Sequence, residues 1–502
     1  MKTNMKHLDW RTLARIMGSL FLLLVVALDW PLVSAQDGKK GKGKGKGQQH
    51  ILVGRAPKHL LDVILGRPTD RSVVVSVLAY EDIDCYLDYS QSKDKPTEKT
   101  KTQRLKAGTP HLFNLGDLKA DTLYRYQLYH RQPEGKVFTA EPENQFHTQR
   151  KPGKAFTFTM QADSHLDQAT RSALYEQSLA NALADKPDFH IDLGDTFMTD
   201  KYDRHTDALP QYLAQRYYFG QLARSVPLFL VLGNHDGERG DRVNGEVNPM
   251  SLWSCLTRKK YFPNPAPNHF YSGNTTEVKE IGALENYYAW EWGDALFIAL
   301  DPYWFTERRG GGRGDGNWSR TLGTSQYRWL QKTLENSKAS FKFVFIHHLV
   351  GGQENAARGG SEASALYEWG GKGKDGKNEF KAKRPGWEMP IHELFVKHKV
   401  SAVFHGHDHF YAYQERDGIV YQLVPQPGHQ GSERVRNVDE YGYIRGEFLA
   451  PSGHLRVKVG DGKAVVDYVK AYLPGDEVGK RKNGSVAHTY TLKPAKDSPK
   501  QN

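Results

Sequence analysis

Five apolar runs in the middle of this chain each end on residues that bind metals well. FTFTMQA (156–162) is followed by Asp163 and His165, and HIDLG (190–194) by Asp195. LFLVLG (228–233) leads into Asn234 and His235, FKFVFI (341–346) into His347 and His348, and VSAVFHG (400–406) into His407 and His409. Imidazole nitrogen with carboxylate or amide oxygen is a donor set for first-row transition metals. Taken singly, Asp163, Asp195 and Asn234 read equally well as turn or cap residues. Taken together they do not, because open α/β sheets gather ligands at the carboxyl ends of their strands. The ordered set therefore predicts one crevice assembled from residues remote in sequence. His190 and Asp192 lie inside a run and read as structural, and His405 reads as a support for the residues after it.

The elements that must hold these residues follow from periodicity. A helical pattern in 169–185 and the apolar runs on either side predict strands alternating with helices. SQYRWLQKTLEN (325–336) predicts a helix capped by Thr324 or Ser325. This α/β region extends over 150–475 and regains β character in GIVYQLV, GHLRVKV and AVVDYVKAY. Two long irregular stretches, 237–280 and 351–383, follow ligand-bearing runs and are expected to wall the crevice. Upstream, 49–149 reads as an all-β sandwich of short alternating strands separated by turns such as GRPTDR. It carries no recognisable chemistry. Residues 476–502 are expected to form a C-terminal tail.

Composition bounds the rest. The chain has 502 residues, 12% of them aromatic, which argues for two or three folded domains rather than disorder. Residues 1–35 show a basic start, an apolar stretch IMGSLFLLLVVAL and a Val33-Ser34-Ala35 cleavage site, the pattern of an export signal. The run is too short for a preferred membrane span, so the expected protein is secreted or periplasmic, with no stable membrane insertion after cleavage. The formal charge of +11 lies partly in the Gly/Lys-rich linker 36–48, which reads as a flexible spacer and not as a specific nucleic-acid site. Cys85 and Cys255 are expected to be unpaired. The RGD at 313–315 reads as chance, and Arg239, Arg242, Arg308, Arg309 and Arg313 as loop charges that could also meet phosphate.

The blocks ADSH, LGDT, LGNHD, HH and HGHDH resemble, in order, those of calcineurin-like metallophosphoesterases, over residues 156–415. That resemblance implies a layered β-sandwich flanked by helices. It also implies one metal on Asp163, His165, Asp195 and His409, and a second on Asp195, Asn234, His347 and His407, with Asp195 as the bridge. One of His347 and His348 is the ligand, and the family pattern favours His347. Two ions of iron, manganese, zinc or cobalt would then deliver a bridging hydroxide to a phosphate ester. His235 would face the phosphate, oriented by Asp236. The sandwich ahead of this region is similar to the fibronectin-like module of purple acid phosphatases, but Met198 stands where those enzymes carry a tyrosine. The implied function is hydrolysis of a small phosphate ester, mono- or diester. The alternative is an exported surface-binding protein with a non-catalytic phosphoesterase fold.

Overall fold

Alternating aromatic residues close two sheets on each other. Phe156, Phe158 and Met160 leave strand Phe156–Gln161 on one side and meet Phe297, Phe343 and Phe345 of the facing sheet. The computed structural model describes residues 52, 54–92, 97–240, 248–306, 317–351, 358–431 and 433–494. The expected export signal 1–35, the linker 36–48, the RGD triplet and residues 495–502 lie outside the described residues.

The first sheet runs Leu228–Leu230, Phe189–Asp192, Phe156–Gln161, Gly453–Gly460, Lys463–Lys470, Val486–Leu492. Its first three strands are parallel neighbours, so their carboxyl ends emerge together with Asp163, Asp195 and Asn234. The second sheet has eight strands, and its parallel centre sets Phe341–Ile346 beside Ala402–His405. Helices Ser172–Ala184 and His205–Ala223 cover the outer face of the first sheet through Tyr175, Leu179, Tyr212, Phe219 and Leu222. Helix Gly323–Asn336 lays Tyr327, Leu330 and Leu334 on Val344 and Val403 of the second. The expected layered β-sandwich flanked by helices is the observed one.

Three boundaries differ from the sequence reading. The helix at 325–336 begins earlier, with Leu322 as cap, and Thr324 and Ser325 lie inside its first turn. Leu322 N–H is met by Glu368 Oε1 at 2.8 Å and Gly323 N–H by Thr321 Oγ1 at 2.9 Å, so no hydroxyl is needed at the expected position. The stretch 237–280 contains a helix, Met250–Tyr261. The expected tail 476–502 supplies the edge strand Val486–Leu492, which pairs with Lys463–Lys470 and buries Leu492. Its apolar positions are few and follow a polar stretch, KRKNG, which masks the alternation.

The N-terminal sandwich has a three-stranded and a six-stranded sheet, with Val75, Leu87, Phe113 and Tyr126 in its core. It packs onto the α/β layers, and residues 49–502 form one packed unit. Ile64 and Leu78 join the cluster of Tyr212 and Phe219. The buried Arg216 donates to Ser76 O at 2.8 Å and Ser76 Oγ at 3.0 Å. Cys85 and Cys255 are buried and free, as expected. Among the described residues no helix is long and apolar enough to cross a membrane.

Candidate metal centre

The ligand-bearing turns lock one another in place. Asp163 N–H donates to Gly194 O (2.9 Å), His235 N–H to Asp195 Oδ1 (2.7 Å), and His407 N–H to Asp163 Oδ2 (2.9 Å). Gly233 is required by approach: a Cβ there would sit 2.0 Å from the Asp195 nitrogen. Asp163, His165, Asp195, His407 and His409 all have positive φ, a conformation that costs non-glycine residues on the order of 1–3 kcal/mol each. The bonds above hold them in it. Asn264 ties the short strand Leu228–Leu230 down from outside, accepting from Leu230 N–H at 3.0 Å and donating to Leu230 O at 2.9 Å.

Two donor groups result. Asp163, His165 and His409 form one, and Asp195, His347 and His407 the other, the atoms of each lying within 4.8 Å of one another. Asp195 Oδ2 is 3.2 Å from His347 Nε2 and 3.9 Å from His165 Nε2, and thus faces both groups. Asp163 Oδ1 is 3.4 Å from His409 Nε2 and 3.8 Å from His347 Nε2. Asp163 Oδ1, His165 Nε2, Asn234 Oδ1, His347 Nε2 and His407 Nε2 are buried without a hydrogen-bond partner. Buried polar atoms left unpaired cost free energy, so five converging lone-pair donors fit cations.

Electrostatics agree. Burial opposes charge on His165 and His347, yet Asp163 and Asp167 push the first up to about 10, and Asp195 with Asp163 push the second up to about 9. Against its burial, Asp195 is held well below the usual carboxylate range by His347 and His235. This concentration of carboxylate charge calls for positive charge at the centre. Burial, with Arg358 next, pushes His407 down and keeps the imidazole in its neutral, ligating form.

His347, not His348, aims at the carboxylates. Its Nδ1 donates to Leu193 O at 2.8 Å, which directs Nε2 inward. His348 instead pairs with Tyr303 OH at 2.8 Å. His190 bonds Thr159 Oγ1 at 2.8 Å inside the fold, and Asp192 accepts from Gln161 Nε2 at 3.0 Å. Both are structural here. His405 is buried beneath the ligand turn.

The expected pairing of His235 with Asp236 is corrected. Asp236 is turned inward and accepts backbone N–H groups from Gly233 (2.7 Å), Asp195 (3.1 Å), Thr196 (2.9 Å) and Phe197 (2.8 Å). His235 Nδ1 lies 2.8 Å from Asp200 Oδ1. Sequence adjacency favoured Asp236; Asp200 arrives from the next loop through a turn at Met198, whose φ is +47°. Asp167, 3.5 Å from His165 Nδ1, was likewise missed, although its spacing in HLD was a signal. So was the support of Asp408, which receives Arg358 Nε at 2.7 Å and Tyr443 OH at 2.8 Å between His407 and His409 of the two donor groups.

The profile of calcineurin-like phosphoesterases matches residues 156–411, which include all six residues of the two donor groups. The chain belongs to that family. No curated protein matches its sequence. Among solved structures it is similar to PhoD, at 15% identity and TM-score 0.60, covering 88% of this chain and 92% of that one. It is also similar to purple acid phosphatase PPD1 from yellow lupin (Lupinus luteus) seeds, at 16% identity and TM-score 0.57, covering 86% and 74%. At these identities the likeness establishes the fold, which for this calcineurin-like phosphoesterase includes the N-terminal sandwich.

Proposed function

We propose that this chain is a metal-dependent hydrolase of phosphate mono- or diesters, exported from the cell and working with two transition-metal ions. The observation that carries the reading is the pair of adjoining donor groups, with Asp195 Oδ2 of one 3.9 Å from His165 Nε2 of the other and the buried atoms of Asp163, His165, His347 and His407 left unpaired. Asp163, His165, Asp195 and His409 hold one ion, and Asp195, Asn234, His347 and His407 the other. Iron, manganese, zinc or cobalt suits this set. When bound, the ions supply Lewis acidity for the attacking water and for the phosphoryl oxygens.

The chain's residues do the rest. His235 is about one-quarter exposed at the mouth of the site, with Nε2 4.0 Å from Asp195 Oδ2. Asp200 accepts from Nδ1–H and fixes the ring plane. Nε2–H then bonds a phosphoryl oxygen or gives its proton to the leaving alkoxide. The products are an alcohol and phosphate, or a monoester when a diester is cut. Export rests on the signal pattern of residues 1–35, and N-terminal sequencing of the mature protein checks it.

The test uses Asn234→Ala and His235→Ala on p-nitrophenyl phosphate and its bis-ester. His235→Ala should lower kcat by about 10²-fold or more with metal retained. Asn234→Ala should lower metal content as well. Unchanged turnover in both variants, or full activity in protein stripped of metal, refutes the reading.

A further inference from the structure

A cleft of about 640 Å³ opens where the N-terminal sandwich meets the second sheet and the helix Gly323–Asn336. Asp70 and Gln149 line it from the sandwich side, and Phe270, Glu291, Trp329 and Asn336 from the α/β layers. It lies away from the metal centre. Leu296, in its lining, pairs with Lys342, which stands five residues before His347. At about 3.3 Å per residue, that places the cleft roughly 16 Å down the strand from the donor groups. Clefts between domains are a common setting for small-molecule sites.

Its wall is held in place by contacts of its own. Trp329 is half-buried, braced by the Tyr287 ring with centroids 4.9 Å apart and by an Nε1–H bond to Ser272 Oγ at 3.3 Å. Phe270 is half-buried as well and rests on the aromatic core. Glu291 is exposed; Ser337 Oγ donates to its Oε1 at 2.9 Å, and Gln149 Nε2 donates to its main-chain oxygen at 2.9 Å. A wall fixed in advance lowers the entropy cost of binding. Two polar atoms of the lining residues are left over. Asp70 Oδ1 and Trp290 Nε1 are buried with no hydrogen-bond partner among the described residues, one an acceptor and the other a donor.

We propose that this cleft binds a neutral carbohydrate. A sugar ring has an apolar C–H face that lies on an indole or phenyl ring, and Trp329 and Phe270 supply such rings. Hydroxyls at the sugar's edge donate to carboxylates and accept from N–H groups. A hydroxyl therefore answers an unpaired acceptor and an unpaired donor alike, which neither an anion nor a cation does. Asp70 and Glu291 outnumber Lys332, the one lysine of the lining, so the cleft disfavours phosphate and takes a ligand different from that of the metal centre. The cleft holds a glycan while the chemistry proceeds elsewhere on the same molecule.

Calorimetry on the full chain, metal-loaded, tests maltotriose, cellotriose and triacetylchitotriose in turn. At least one should bind with a Kd of about 1 mM or tighter. Trp329→Ala should weaken that binding by roughly tenfold or more, and Trp329→Phe should keep part of it. Glu291→Ala, at an exposed position that leaves the core alone, should weaken it as well. Turnover of p-nitrophenyl phosphate should be the same in all three variants as in the wild type. No binding of any of the three sugars, or equal binding by wild type, Trp329→Ala and Glu291→Ala, overturns the proposal. A fall in kcat that tracks the fall in affinity would place the sugar at the metal centre and overturn it too. Sugar binding that depends on Trp329 in a protein without turnover would refute the hydrolase reading and leave the cleft's assignment standing.

Discussion

Two carboxylates close to His235 have separate tasks, and the difference lies in what each oxygen touches. Asp236 gathers four backbone N–H groups across residues 195–197 and 233, so it shapes the turn that presents Asp195. Burial, and then the charge of Asp195, pushes its carboxyl up to about 7. Asp200 Oδ1 meets His235 at Nδ1, 2.8 Å away, on the ring edge opposite Nε2. The two variants should therefore fail differently. Asp200→Asn should lower kcat by about 10- to 100-fold with full metal content, since it weakens only the orientation of His235. Asp236→Ala should lose metal and stability together, because it leaves buried backbone N–H groups without their acceptor, at about 1–3 kcal/mol each. Metal analysis beside kcat measures both; identical losses in the two variants would disprove the division. The adjacent Asp236 was visible in the sequence as a candidate partner. Asp200 was not, because a left-handed turn at Met198 brings it back.

At the scale of the elements, the strand ends were legible because apolar runs buried on both faces stop abruptly at polar ligand types. What braces those ends was not legible, since the partners lie far away along the chain. Asp408 is the clearest case: Arg358 and Tyr443 reach its two oxygens, and Arg358 also donates to His407 O at 3.3 Å. This clamp spans the loop that carries His407 and His409, so Tyr443→Phe should weaken metal affinity about 10- to 100-fold, measured by titrating metal into chelated protein. Unchanged affinity would show the clamp to be dispensable. A second consequence belongs to the strand pair Phe156–Gln161 and Phe189–Asp192. There His190 faces Thr159 in the interior, where burial, and then the charge of His454, pulls its ring down to about 3 from 6.5. The folded value lies below the unfolded one. The stability gained from a neutral ring is therefore complete above pH 6.5 and is lost as pH falls toward 3. The double variant Thr159→Val/His190→Leu should flatten the acid slope of stability by up to about 1.4 kcal/mol per pH unit, read by urea unfolding of chelated protein between pH 7 and 4.5. An unaltered slope would assign acid sensitivity elsewhere.

The whole molecule joins the all-β sandwich to the α/β layers that carry both donor groups. Sequence composition separated the two regions at about residue 150, because strand-only periodicity gives way there to alternating strands and helices. It could not reveal that they share a core. The junction depends on which face of each strand turns outward, and Ile64 and Leu78 look like ordinary sandwich residues until they meet Tyr212, Phe219 and Leu222. Polar contacts reinforce the contact: Arg216 donates to Ser76, and Arg67 Nε donates to Asn264 O at 2.7 Å. Asn264 in turn holds the strand that leads to Asn234. The sandwich therefore braces one of the ligand strands from behind. If so, the two regions unfold together. Leu78→Ala, fully buried at the junction, should cost about 2–5 kcal/mol and should lower the midpoint of heat inactivation in step with the loss of tertiary structure. Calorimetry on the wild type should show one transition. Two separated transitions, with catalysis surviving the first, would show the sandwich to be an appended module and not a structural part of the enzyme.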